Sequence, residues 1–165
     1  MRSRGRRTEH GSDAMEIATL REHIPPGSTV FDVGANKGGY LVPLVDAIGR
    51  KGMAYAFEPI PSLAERLKKS VRQLRWKHVH IVQAAASDTD GTARLTTPEG
   101  ERHWESSLEH TPGDADHSFE VPTIRLDSML QTITHSKLSA MKIDVEGHES
   151  AVIRGAGELI NHHHP

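Results

Sequence analysis

The stretch FDVGANKGGY, residues 31–40, carries the signal that decides the fold. Its apolar start continues a run from Thr29 and ends abruptly in turn residues, which is typical of a buried strand. Gly34 allows a tight turn directly after the strand. Gly38 and Gly39 allow a ligand to approach the backbone and the next helix to pack closely. A strand, a glycine turn and a helix start predict the first unit of an α/β domain.

Strands and helices alternate along most of the chain. Further buried strands are expected at residues 52–59, 78–88 and 140–147, and amphipathic helices at 14–24, 40–49, 62–74 and 149–160. Ser62 is expected to cap the third of these helices, and Asp127 a further helix over 128–134. This alternation predicts a mostly parallel sheet that is covered on both faces, a Rossmann-like, doubly wound α/β fold.

An antiparallel insertion is expected between the third and fourth core strands. DGTARLTTP, residues 90–98, opens on a turn dipeptide and alternates, and SFEVPTIRL, residues 118–126, is typical of a second strand. The polar segment between them carries HWESSLEH, residues 103–110. A loop of this length is usually functional or disordered, so the segment is predicted to be either a substrate lid or a packed hairpin.

Length and composition favour one globular domain over residues 14–165, preceded by a disordered basic tail over 1–13. The formal net charge is −2, so no overall positive field points to nucleic acid. No window resembles a membrane helix, and the absence of cysteine excludes disulfides and thiolate metal sites. A cytoplasmic protein without a nucleic-acid or membrane partner is expected.

Three successive strand exits carry the chemistry of a nucleoside site. Ligands of open α/β sheets bind outside the carboxyl ends of the strands. There the glycine turn follows the first strand, Glu58 ends the second and Asp88 ends the third. Glu58 can accept hydrogen bonds from both ribose hydroxyls, and Asp88 from an adenine amino group. Together these residues predict a site for adenosine.

Asp32 helps to decide between two possible ligands that contain adenosine, NAD and S-adenosylmethionine. NAD carries a pyrophosphate, which requires bare backbone amides and tolerates little negative charge nearby. Asp32 directly precedes the turn, whose spacing G-x-x-x-G-G differs from the dinucleotide pattern G-x-G-x-x-G. An acid in this place suits a cationic amino group, such as the methionine end of S-adenosylmethionine, and therefore favours the methyl donor.

The chain resembles the FkbM family of methyltransferases over roughly residues 28–160. The segments that carry the resemblance, in family order and spacing, are FDVGANKGGY, AFEPIPSLAERLKKSV, VQAAASDTDGTARL, SSL, VPTIRLDSML and MKIDVEGHESAVIRGA. The resemblance implies a class I S-adenosylmethionine-dependent methyltransferase, usually acting on a hydroxyl oxygen, and no metal. By position, it implies donor contacts from Asp32, Gly34, Ala35, Asn36 and Gly38 at the methionine end, Glu58 at the ribose, and Ser87 and Asp88 near the adenine.

The chain departs from the family where it ends. Family members continue into further strands, whereas this sequence stops at NHHHP, residues 161–165. The C-terminal strands of the sheet are therefore expected to be missing, which leaves the activity of this chain alone uncertain. The fourth core strand would become an edge, and an apolar edge favours association of two copies.

The fourth strand exit, MKIDVEGHE at residues 141–149, is the expected reaction centre. Asp144 ends the apolar run and is the first candidate to face the reaction, Glu146 is a second, and His148 has the most suitable intrinsic pKa for a base. Alternatively, Asp144 anchors the turn at residue 147, His148 is a solvated first-turn residue, or the three residues collect a divalent metal. Glu149 is expected to complement a helix dipole.

The leading hypothesis is an S-adenosylmethionine-dependent O-methyltransferase that acts on a hydroxyl of a small molecule, such as a sugar, polyketide or lipid. A nicotinamide-dependent oxidoreductase is the alternative enzyme, although it lacks the pyrophosphate loop. A non-catalytic fragment that associates through its edge strand is the third possibility.

Overall fold

The computed structural model describes residues 15, 17–97, 108, 117–133 and 136–165. The expected basic tail and most of the expected lid segment lie outside these residues. Within the described part of the chain, no helix combines the length and apolar character needed to cross a membrane.

The parallel sheet that positions the site has four strands. These are β1 (Thr29–Val33), β2 (Met53–Phe57), β3 (Val79–Val82) and β7 (Leu138–Ile143), in the order β3-β2-β1-β7. All three pairings are parallel, which confirms the predicted α/β fold. Because β7 pairs with β1, the exit that follows Asp32 and the exit that carries Asp144 lie side by side.

The two faces of β1 support two separate cores. Phe31 and Val33 are fully buried against Tyr55 and Phe57 of β2, with the Phe31 ring 5.6 Å and 5.3 Å from the Tyr55 and Phe57 rings in edge-on geometry. Such aromatic pairs add about 0.5–1.5 kcal/mol each beyond the burial of apolar area. Val30 faces the other core. A strand buried on both faces reads as a continuous apolar run, which is why this segment could be predicted.

A second sheet forms the insertion. Its strands are β4 (Ala85–Ser87), β5 (Gly91–Thr97) and β6 (His117–Arg125), in the order β4-β6-β5. β5 and β6 are antiparallel, as predicted, whereas β4 and β6 are parallel. The prediction of one strand over residues 78–88 is wrong, because the chain leaves the first sheet after Val82 and joins the second at Ala85.

Five helices pack around the sheets in the described part of the chain. They are α1 (17–23), α2 (Leu41–Ile48), α3 (Pro61–Gln73), α4 (Glu149–Arg154) and α5 (Gly157–His163). Short 3-10 helices span Gly49–Lys51 and Leu126–Met129. Pro43 lies in the first turn of α2, as predicted, where its missing N–H leaves no helical bond unmade.

Two predicted helix starts are wrong. Ser62 does not cap α3, which begins at Pro61 because the fixed φ of proline suits the first helical position. Asp127 does not begin a helix over 128–134. Its Oδ1 accepts a hydrogen bond from the backbone N–H of Leu159 at 2.9 Å, near the start of α5.

The helix expected over 149–160 is divided into α4 and α5 at Gly155. A Cβ at Gly155 would lie 1.9 Å from the carbonyl oxygen of Ser87, so only glycine allows this approach. The chain is thereby held against β4.

Candidate functional site

The glycine turn after β1 forms the centre of the site. Gly34 has a φ of +78°, and a Cβ there would lie 1.9 Å from the backbone oxygen of Asp144. Its N–H and that of Ala35 both donate to the carbonyl oxygen of Phe57 at 3.0 Å. The turn is therefore fixed against the exits of both neighbouring strands.

Glu58 lies directly after β2 and is 3% exposed. Its two carboxylate oxygens accept hydrogen bonds from the backbone N–H of Asn36 at 2.7 Å and of Ile60 at 2.8 Å. Burial raises the pKa of Glu58, although these two N–H donors oppose the rise. A carboxylate has about four acceptor positions, so Glu58 keeps acceptor capacity toward the pocket that it lines.

A pocket opens between the two sheets above this turn. Its polar lining comes from Gly34, Asn36, Glu58, Asp144, Glu146 and His148. The remaining lining is mainly apolar and comes from Phe57, Pro59, Ile60, Ala84, Ala85, Ala86, Leu95, Leu108 and Val145. A lining that combines acceptor groups with apolar side chains suits a ligand with a flat ring and a polar, hydrogen-bonding body.

Asp32 lies beneath the turn with an exposure of 1%. Neither of its carboxylate oxygens has a hydrogen-bond partner among the described residues. Lys142 Nζ lies 3.7 Å from its Oδ1, which is an ion-pair distance rather than a hydrogen bond. Burial raises the pKa of Asp32 to about 6, and Lys142 opposes part of that rise.

Lys142 connects Asp32 to the predicted reaction centre. Its Nζ lies 3.3 Å from Asp144 Oδ2 and donates to the carbonyl oxygen of Gly34 at 3.3 Å. The same atom lies 4.9 Å from the centre of the Tyr40 ring. Asp32, Lys142 and Asp144 thus form one charged cluster across the ends of β1 and β7. The sequence analysis missed Lys142 as a site residue, although it stands two positions before Asp144.

The three predicted catalytic residues all line the pocket. Asp144 has a side-chain exposure of 59% and faces the opening. Glu146 holds a positive φ of +51° in the turn that follows. His148 directly precedes α4, and its Nε2 lies 3.0 Å from Ser87 Oγ, within hydrogen-bonding distance.

Glu149 closes the turn rather than facing the pocket. Its Oε1 accepts hydrogen bonds from the backbone N–H groups of Val145 and Gly147, both at 3.3 Å. Backbone donors, its own N–H first, lower the pKa of Glu149. The turn is therefore held by Glu149, the role that the sequence left open for Asp144.

Five predicted donor contacts do not line the pocket: Asp32, Ala35, Gly38, Ser87 and Asp88. Ala35 is 4% exposed and packs in the core, and a Cβ on Gly38 would lie 3.0 Å from Leu67. Asp88 pairs with the Arg154 guanidinium, whose Nη2 is 2.8 Å from its Oδ2, and this hydrogen-bonded pair lowers the pKa of Asp88. Asp88 follows β4 of the second sheet, not the third strand of the parallel sheet.

The sequence analysis also missed the apolar wall of the pocket. Ile60, Leu95 and Leu108 belong to a separate apolar cluster under the second sheet. The alternating pattern of residues 90–98 predicted a strand with one buried face, but it did not predict that this face would line the pocket. Among the described residues, no three His, Asp or Glu side chains gather closely enough to hold a metal ion.

Comparison with known proteins agrees with this architecture. The family model described as "Methyltransferase FkbM domain" matches residues 32–165, which is most of the chain. The crystal structure of the methyltransferase FkbM from Methylobacillus flagellatus superposes with a TM-score of 0.59 at 16% sequence identity. That match covers 90% of this chain and 38% of the solved one, and it shows a shared fold.

A curated relative matches part of the chain. The protein-L-isoaspartate O-methyltransferase of Ignicoccus hospitalis is 31% identical over 68 residues, which is 41% of this chain. The chain spans 30% of the length of that relative and, as above, 38% of the solved FkbM structure.

Proposed function

Because the chain belongs to the FkbM methyltransferase family, we propose that it binds S-adenosylmethionine at the carboxyl edge of its parallel sheet and methylates a hydroxyl oxygen of a small molecule or sugar. The observation that carries the proposal is the buried Glu58 carboxylate, fixed by two backbone N–H groups beside the bare Gly34 turn.

The residues present fit the methyl donor. Glu58 keeps acceptor capacity for ribose hydroxyls, and the apolar wall that includes Phe57, Ile60 and Leu95 suits an adenine ring. Gly34 and Asn36 present backbone to the donor's methionine end. Ser87, whose hydroxyl contacts His148, and Asp88 are proposed to lie toward the adenine end, beyond the pocket lining itself.

The charge of the site favours a cationic ligand over a dinucleotide. Among the described residues that line the pocket or form the charged cluster, four are acids, Asp32, Glu58, Asp144 and Glu146, and the lysine is Lys142. A pyrophosphate would add negative charge to this surrounding, whereas an amino group and a sulfonium would offset it. A nearby cation would also lower the pKa of Asp32 and keep its buried carboxylate ionised.

When bound, the donor would supply a methyl group on its sulfonium: the C–O bond to the acceptor would form as the C–S bond breaks, and S-adenosylhomocysteine would leave. The protein's part is to hold the acceptor in line and to receive the hydroxyl proton. Asp144 is proposed as the residue that accepts this proton or orients the hydroxyl, because it is exposed at the opening and held by Lys142. Base catalysis of this kind typically contributes about 100- to 10,000-fold.

His148 and Glu146 are proposed to act beside Asp144. The Nε2 of His148 lies 3.0 Å from the Ser87 hydroxyl, which holds the imidazole ring beside the pocket that it lines. Glu146 lines the pocket within the same turn and adds negative charge there.

Titration calorimetry with S-adenosylhomocysteine tests the donor site. The wild-type protein is expected to bind. Glu58→Gln is expected to lower the affinity about 10- to 100-fold, because it removes the charge of the carboxylate that accepts hydrogen bonds from the ligand. Glu65→Gln is the matched control, because Glu65 is exposed on α3 and should leave the affinity unchanged. Wild-type protein that does not bind, or equal affinity in the Glu58 variant, would refute the proposal.

Asp144→Asn tests the reaction centre. Turnover with hydroxyl acceptors should fall about 100-fold or more, while the affinity for S-adenosylhomocysteine stays within about twofold. An equal loss of donor affinity would instead make Asp144 a donor-binding residue.

A further inference from the structure

A second cleft lies on the other side of the Asp32–Lys142–Asp144 cluster. Among the described residues it is lined by Met15, Thr19 and Leu20 at α1, Tyr40 before α2, and Lys142, Ile143 and Asp144 at the end of β7. Its volume is about 720 Å³, within the range of roughly 300–1,000 Å³ that is usual for small-molecule sites. Most of this lining is apolar, so the cleft can hold an apolar body.

The two cavities meet at Asp144, which lines both of them. Gly34 separates them, since its carbonyl oxygen accepts from Lys142 on one side while its backbone lines the first pocket on the other. A group-transfer enzyme needs two ligands whose reacting atoms approach within about 3–3.5 Å. Because the cleft shares the Asp144 carboxylate with the donor pocket, ligands in the two cavities would lie next to each other at this residue.

The charges in the cleft define the class of ligand. Lys142 is 14% exposed in its side chain and already faces two carboxylates, Asp32 at 3.7 Å and Asp144 at 3.3 Å. The cluster of three therefore carries a net charge of −1 when both acids are ionised, and it does not attract an anion. Asp144 is the exposed member, and a carboxylate accepts hydrogen bonds from a neutral hydroxyl.

We propose that this second cleft binds the methyl acceptor, and that the acceptor is an uncharged alcohol with an apolar body whose hydroxyl is bonded by Asp144. The inference rests on the proposed donor site, because the cleft is an acceptor site only if the donor occupies the first pocket. The Lys142 ammonium holds Asp144 in place, and the net charge of −1 on the cluster disfavours acidic acceptors.

Saturation-transfer NMR on the full chain tests the ligand class with three matched probes. Cyclohexanol, cyclohexanecarboxylate and cyclohexylamine share one apolar ring and differ in the polar group. Cyclohexanol is expected to receive saturation from the wild-type protein and the carboxylate to receive none. An equal response from the carboxylate would overturn the assignment, and so would an exclusive response from the amine.

Two tryptophan variants of α1 test the location. Thr19→Trp fills the cleft, whereas Ala18→Trp adds the same bulk at an exposed position of the same helix, outside the cleft lining. The cyclohexanol signal is expected to disappear with Thr19→Trp and to persist with Ala18→Trp, at equal melting temperatures. A signal that survives Thr19→Trp would place the alcohol elsewhere and refute the proposal.

The affinity for S-adenosylhomocysteine separates the acceptor site from the donor site. It is expected to be unchanged in both tryptophan variants. A weaker affinity in Thr19→Trp alone would show that the donor occupies the second cleft, which overturns the inference. Failure of the proposed function would differ, because the wild-type protein would then not bind S-adenosylhomocysteine at all.

Discussion

Asp32→Asn is expected to change the pH dependence of stability more than any other single substitution in the site. Asp32 is 1% exposed, and its oxygens have no hydrogen-bond partner among the described residues. Asparagine has nearly the same shape but cannot ionise. The comparison therefore isolates the free energy of keeping a charge in this position.

The magnitude follows from the pKa. Burial raises the pKa of Asp32 from 3.8 to about 6, a change of about 2 units or roughly 3 kcal/mol. Between these two values the folded protein binds more protons than the unfolded chain, so the free energy of unfolding falls as pH rises through this window. The stabilisation is fully present below pH 3.8 and is lost above about pH 6.

Urea unfolding of both proteins between pH 4 and pH 7 measures this effect. The stability of Asp32→Asn relative to wild type should rise by about 3 kcal/mol from pH 4 to pH 7, since groups that do not interact with Asp32 contribute equally to both proteins. Asp46→Asn is the control, because the Asp46 side chain is 56% exposed. Its free energy of unfolding should differ from that of the wild type by an amount that stays constant within about 1 kcal/mol over this pH range. If the stability of Asp32→Asn relative to wild type is equally independent of pH, the reasoning is refuted.

Two further substitutions test the turn and its support. Gly34→Ala should destabilise the protein by about 2–6 kcal/mol and abolish binding of S-adenosylhomocysteine, because its φ is +78° and its Cβ would lie 1.9 Å from the oxygen of Asp144. Gly39→Ala, which meets nothing within 4 Å, should be nearly neutral in the same urea titration, and equal losses in the two variants would contradict this. Ser87→Ala removes the contact with His148 and should reduce the free energy of unfolding by about 1 kcal/mol. Ser70→Ala removes an exposed hydroxyl on α3 and is the control. If it lowers the free energy of unfolding as much as Ser87→Ala does, the contact with His148 contributes no stability of its own.

The parallel sheet could be predicted because its strands carry local signals. β1, β2 and β7 are apolar runs that end in turn residues. β1 and β2 lie within their predicted ranges, whereas β7 begins two residues before its predicted range of 140–147 and already ends at Ile143. The division of residues 78–88 could not be predicted, since Val82 and Ala85 are both compatible with a strand and no local signal says which sheet each joins. Gly155 did mark the break between α4 and α5, but its reason, close approach to Ser87, is a long-range contact.

The acids of the site were predictable from where they stand on the strands. Glu58 and Asp144 follow buried strands, and neighbouring exits of parallel strands meet at one edge. The pairing of Asp88 with Arg154 was not predictable, because the two residues are 66 positions apart and meet only after α4 packs on β4. Lys142 was hidden for a different reason, since a lysine inside an apolar strand gives no indication of which carboxylates surround it.

The link between the two sheets has a mechanical consequence. Only Gln83 and Ala84 separate β3 from β4, and the two sheets contribute opposite walls of the pocket, Phe57 from one and Leu95 from the other. A rotation about this link would widen or narrow the gap between those walls while leaving the hydrogen bonds within each sheet intact. Stiffness at these two positions would then govern how quickly a ligand enters and leaves, independently of how tightly the pocket holds it.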